Sequence, residues 1–103
     1  MNNPLEQLIG QRVTKSGTVH DYAQVIFGNT SILTINNVYT VKGTRNLLEL
    51  TGLALAGASE NTDEVVLTFE DGTSINVNLL PEAYRGPEAM VLHRDGHPIV
   101  VWD

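Results

Sequence analysis

The sequence predicts a mainly β domain: a β-rich α+β fold of two repeated helix–strand–hairpin units plus a C-terminal hairpin, forming a sandwich or a partly open barrel. Three observations predict it. Residues 23–37, AQVIFGNTSILTINN, and residues 65–79, VVLTFEDGTSINVNL, share one outline of two short strands and a tight turn. Apolar residues alternate within both stretches, as they must where one face of a strand is buried. Turn-forming residues punctuate the chain at short intervals, and no long 3.6-residue periodicity interrupts them.

The elements follow in order. Asn3 is placed to cap a short helix, with Pro4 at its first position and Glu6 in its first turn, and Gly10 is placed to end it. A strand and a hairpin follow, the hairpin turning at Asn29-Thr30. Residues 44–51, TRNLLELT, read as a second short helix closed by Gly52, and the outline then repeats with its turn at Asp71-Gly72. Gly accepts a positive φ there without a Cβ clash, so a two-residue connection is expected. Setting residue n against n+42 brings Leu5, Leu8, Gly10, Asp21, Phe27 and Asn36 onto Leu47, Leu50, Gly52, Asp63, Phe69 and Asn78. The apolar phase supports the match: Ala23, Val25 and Phe27 fall on Val65, Leu67 and Phe69, and Leu33 and Ile35 on Ile75 and Val77. The repeat thus spans about residues 5–37 and 47–79 within a single domain, 1–103. Two such hairpins need each other to hide their apolar faces. Residues 80–88 read as a loop with a helical turn at 82–84, and the C-terminal hairpin covers 89–102, its last strand either starting at Pro98 or lying at a sheet edge.

Composition sets the class. The chain of 103 residues is 42% hydrophobic and 17% charged, ordinary for a folded globular domain. It has no cysteine, which removes disulfides and thiolate metal sites and fits a reducing cytoplasm. The start, MNNPLEQLIG, lacks the charged-then-apolar pattern of a signal peptide, and no apolar run is long enough to span a membrane.

Charge is unevenly divided. The formal net charge is −6. Residues 1–48 carry two acids against four bases, and residues 49–103 carry ten acids against Arg85 and Arg94. A half of that sign repels nucleic acid and anionic membrane and attracts basic partners. His93 and His97 flank Asp95-Gly96 in a hairpin, where a two-residue turn pairs His93 with Pro98 and turns the imidazoles to opposite faces. His20-Asp21 is at most a fragment of a catalytic pair, because the dyad needs a nucleophile or a matched acid and adjacency in sequence says little about geometry. The glycines of GNTS and GTSI lie inside hairpins, not between a strand and a helix, so no phosphate loop is formed. No catalytic, metal-ligating or cofactor-binding residue is assigned, and the chain is read as a binding protein, not an enzyme. Trp102 reads as a half-buried anchor at the end of the last strand, and Tyr84 as an exposed loop aromatic.

The segments LEQLIGQRV, DYAQVIFGN, ILTINN and AYRGPEAMVLHRDGHPIVVW resemble those of small acidic bacterial immunity proteins of contact-dependent growth inhibition and related polymorphic toxin systems. That resemblance implies a cytoplasmic protein that binds one cognate toxin domain and neutralises it by covering its active site or substrate path. Such toxins are frequently nucleases, and a nuclease is basic where it holds phosphate. The expected contact surface is the 60–64 loop, the 70–71 turn and the 82–88 loop, through Glu60, Asp63, Glu64, Glu70, Asp71, Glu82, Tyr84 and Glu88. Two other classes stay open: a small-ligand or enzymatic barrel, and a homodimeric or adaptor module that recruits a chain along a sheet edge.

Overall fold

In a computed structural model, which describes residues 4–103, the chain is mainly β, with nine strands in two antiparallel sheets and no closed barrel. The strands are β1 Val13–Val19, β2 Tyr22–Phe27, β3 Ile32–Ile35, β4 Tyr39–Lys42, β5 Leu55–Glu60, β6 Glu64–Phe69, β7 Ser74–Asn78, β8 Met90–His93 and β9 Val100–Trp102. One sheet has the order β1-β2-β3-β8-β9 and the other β4-β7-β6-β5.

The expected helix–strand units are corrected at their helices, because the described residues contain no α-helix. Pro4–Leu8 and Leu47–Glu49 are 3₁₀ turns. Their apolar spacing explains this. Leu5 and Leu8, like Leu47 and Leu50, are buried three residues apart, and Gly10 and Gly52, both with a φ of 92°, interrupt each stretch two residues later. Side chains at i and i+3 eclipse in a 3₁₀ turn, so both reach the core from a single turn. The second turn is capped at both groups: Leu48 N–H donates to the Asn46 side chain, and Asn46 N–H donates to the Glu49 carboxylate. The expected Asn3 cap lies outside the described residues.

Beyond these 3₁₀ turns, the backbone pattern recurs at the 42-residue offset. Bulges interrupt β1 between Val13 and Lys15 and β5 between Leu55 and Gly57. Gly28 N–H donates to Arg12 C=O as Glu70 N–H donates to Ala54 C=O. The two sheets meet where β1 and β5 begin, through a reciprocal ladder around the Arg12–Ala54 bridge. Gly10 N–H donates to Leu55 C=O at 2.8 Å and Gly52 N–H to Val13 C=O at 2.8 Å; Leu55 N–H donates to Gln11 C=O at 3.0 Å and Val13 N–H to Leu53 C=O at 2.9 Å. Exchanging n with n+42 turns each bond of a pair into the other.

Both hairpin turns have three connecting residues, not two. Thr68 pairs with Ser74, and Phe69 N–H donates to Thr73 C=O, leaving residues 70–72 as the loop. Gly72 holds a φ of 91°, and its counterpart Thr30 holds 67°. A left-handed residue closing a three-residue loop matches the twist of the flanking strands. Asp71 and Asn29 brace these loops, their side chains accepting from Thr73 N–H and Ser31 N–H.

The units diverge after their third strand. Residues 39–42 form β4, an element the sequence reading left out, and β4 pairs with β7. Pro81 stands where the first copy has Tyr39, and a proline offers no N–H to a ladder. There the chain makes a 3₁₀ turn at Pro81–Ala83, one residue before the turn expected at 82–84, and β8 supplies the strand beside β3. Of the two readings of the final strand, the edge position holds: it starts after Pro98, at Val100, and lies last in its sheet among the described residues, with Met90 paired to Trp102 and Leu92 to Val100. Carried on, that register sets His93 against Ile99, one residue past Pro98.

The inward residues form one core shared by both sheets. It includes Ala23, Val25, Phe27, Leu33 and Ile35 from the first sheet and Val65, Leu67, Phe69, Ile75 and Val77 from the second. At roughly 1.5–3 kcal/mol for each fully buried large side chain, this core is the main stabilising term.

Candidate functional site

The predicted contact residues divide between distinct places. β6 runs from Glu64 to Phe69, so its ends lie roughly 17 Å apart at 3.3 Å per residue. Glu60, Asp63 and Glu64 are at one end, and Glu70 and Asp71 are at the other.

At the far end the two carboxylates are spent internally. Glu70 accepts from Ala54 N–H at 2.8 Å and from Arg12 at 2.9 Å. Asp71 accepts from Thr73 N–H at 2.9 Å and from Arg45 Nε at 2.9 Å. The Ala54 amide first, and Arg12 with it, holds the Glu70 carboxyl below its ordinary range. The Thr73 amide first, and then Arg45, does the same for Asp71. These two residues fasten a turn to the body of the protein, at the end away from Glu60, Asp63 and Glu64. A charge already opposed by a neighbouring guanidinium offers little field to a partner.

At the near end the carboxylates have no arginine paired with them among the described residues. Glu60 closes β5, Asp63 lies in the following turn, and Glu64 begins β6. Asn61 shapes that turn, its side chain accepting from Asp63 N–H and Glu64 N–H at 2.8 and 2.9 Å. Leu79 N–H donates to Asp63 C=O, which draws the start of the 80–88 loop to the same end. Glu82 is exposed in the turn that follows. Among the described residues none of Glu60, Asp63, Glu64 and Glu82 forms an ion pair. Lys42 shares a shallow hollow with Asp63 and Glu64 and offsets part of their field.

Two expectations from the 82–88 loop are corrected. Tyr84 is half-buried and packs against the core, because Ala83 and Ala89 on either side of it are buried and draw the loop inward. Glu88 is half-buried in a different hollow, beside His20, Tyr22 and Arg85, where Arg85 donates to Asp21 C=O. Trp102, expected half-buried, is only 9% exposed.

Beside the near-end acids lies an open cleft of about 820 Å³. Leu79, Tyr84, Val100, Val101 and Trp102 give it an apolar lining, and Glu60 and Asp103 stand at it as its carboxylates. The sequence reading passed over the contribution of β9. A signal was there: Ile99, Val100, Val101 and Trp102 are apolar without a break, and successive strand residues face opposite sides. Ile99 and Val101 accordingly remain 57% and 40% exposed. Among the described residues no three His, Asp or Glu side chains converge to hold a metal ion, and no helix is long and apolar enough to cross a membrane.

Comparison with protein-family models, with curated proteins and with solved structures finds no match to this chain.

Proposed function

We propose that this protein is an inhibitor of the immunity type, which binds a basic toxin domain of the nuclease class in the cytoplasm and covers its active site or substrate path. One observation carries the reading: the fold sorts its acids. Glu70 and Asp71 pair with Arg12 and Arg45 at one end, while among the described residues Glu60, Asp63, Glu64 and Glu82 form no ion pair at the other, beside an apolar cleft. Protein interfaces combine an apolar centre with a charged, hydrated rim. The apolar part supplies affinity through a few desolvated anchors, and the acids supply attraction at a distance.

The test is association with the product of the adjacent gene, followed by a nuclease assay. Stoichiometric inhibition is expected, with an association rate approaching roughly 10⁸ M⁻¹s⁻¹ at low salt and falling steeply as salt is added. Reversing Glu60, Asp63 and Glu64 together to Lys should slow association at low salt and flatten that dependence. An association rate indifferent to the triple reversal refutes the acidic end as the docking surface.

A further inference from the structure

We infer that the cleft beside β9 receives an arginine or lysine side chain from a basic protein, carried on an extended segment that lies along the β9 edge. The inference rests on the proposed function for the partner's charge and specifies how that partner is gripped.

The chemistry of the cleft selects such a side chain. Its lining combines Leu79, Tyr84, Val100 and Trp102, two aliphatic and two aromatic groups, with the polar Asn61 and Thr62. Glu60 and Asp103 are its only ionisable groups besides the Tyr84 phenol, and no Lys, Arg or His lines it among the described residues. Neither carboxylate forms an ion pair among those residues. A guanidinium or ammonium group needs this combination. Its aliphatic stem packs on apolar surface, its charged head stays at the wet rim, and aromatic faces and carboxylates attract the cation. An uncharged apolar side chain would fill the interior but leave two carboxylates partly desolvated beside it. The hollow containing Asp63 and Glu64 lacks this selectivity, because it holds its own Lys42.

β9 suits an extended visitor. Among the described residues it is the last strand of its sheet, with β8 on one side only. In an antiparallel ladder alternate residues turn their N–H and C=O groups away from the neighbour, so an outer edge offers a strand of unpaired groups. A segment adding there gains main-chain hydrogen bonds and directs alternate side chains toward the cleft.

Trp102 is the only tryptophan of the chain and lines the cleft, so its emission reports occupancy. The probe is a blocked pentapeptide, Thr-Val-Arg-Val-Thr, titrated into the whole protein beside the same peptide with citrulline in place of arginine. A saturable change in emission is expected for the arginine peptide, with binding about tenfold weaker for the citrulline peptide, in line with a cation over aromatic rings and opposite carboxylates. Glu60→Gln should remove most of that difference, and Val101→Lys should weaken the arginine peptide by placing a like charge on the edge. Circular dichroism of both variants checks that they fold as the parent does. Equal affinity for the two peptides, no emission change with either, or an undiminished preference in folded Glu60→Gln overturns the inference. The two readings fail separately. Peptide binding without inhibition of the neighbouring toxin keeps the cleft and refutes the immunity role. Inhibition that survives Glu60→Gln and Val101→Lys, with no peptide binding, does the reverse.

Discussion

Replacing Gly43 by alanine tests how tightly the second sheet is closed. Gly43 follows β4 with a φ of +120°, a conformation costly for any residue bearing a Cβ. A Cβ built there would lie 2.8 Å from Thr73 Cα, 3.1 Å from Thr73 Oγ1 and 3.4 Å from Thr73 Cβ. The closest of these atoms is backbone, held by the Phe69 N–H bond to Thr73 C=O, so it cannot swing aside as a side-chain end could. The backbone conformation costs about 1–3 kcal/mol. Overpacking adds about 1–3 kcal/mol, and partial relaxation of the loop trims the sum to roughly 3–4 kcal/mol. That is a large part of the 5–15 kcal/mol typical of a whole domain. Gly57→Ala is the control: its Cβ would meet nothing within 4 Å, and its φ is not positive. It should be neutral or stabilising by about 0.5 kcal/mol, because alanine restricts the unfolded chain. Urea unfolding followed by the emission of Trp102 measures both. A Gly43→Ala midpoint within about 0.5 kcal/mol of the Gly57→Ala midpoint, at equal slope, would refute the close approach of Gly43 to Thr73.

Two further outcomes are expected. Asn37 is fully buried where the chain passes from β3 to β4, and its amide donates to Asn78 C=O at 2.7 Å. Asn37→Ala leaves that carbonyl without its donor and should cost about 1–3 kcal/mol in a urea titration, and a loss below 0.5 kcal/mol would contradict the contact. The second concerns acid. Glu70 and Asp71 have folded pKa values below their ordinary ones, so their contribution to stability is complete above the ordinary carboxylate range. It is lost as pH falls below about 4 and through the lowered folded values, where both states bind the proton equally. Thermal melts should therefore show Glu70→Gln less stable than the parent at pH 7, with the gap narrowing as pH falls through the lowered folded value. A gap that stays constant across that range would mean Glu70 acts through its shape and not its charge.

Much of the candidate surface was legible along the chain, and the errors have definite causes. Glu60, Asp63, Glu64 and Glu82 stand together because they lie in a turn and in a loop that the Asp63–Leu79 hydrogen bond joins. Glu70 and Asp71 look the same in sequence, but Arg12 and Arg45 reach them from 58 and 26 residues away. No local pattern encodes those pairings. Tyr84 reads as an exposed loop aromatic because proline and glycine surround it, yet the loop is pulled inward by the buried alanines on either side. The turns at Leu5–Leu8 and Leu47–Leu50 carry helix-start signals at Pro4 and Asn46, but Gly10 and Gly52 in the left-handed region follow within two residues, and one turn cannot propagate as an α-helix.

The order of residues by itself determined the β class and which side of β2, β3, β6 and β7 faces inward, since a two-residue alternation admits one buried face. It also determined the asymmetry of charge between the two halves. Only the tertiary structure decided that β4 crosses to the other unit's sheet, that β8 takes the place Pro81 cannot fill, and which acids pair with an arginine. Alternation and turn chemistry act over a few neighbouring residues and can be read in line. Edge pairing and ion pairing join residues distant in the chain, and they exist only once the two sheets have closed on their common core.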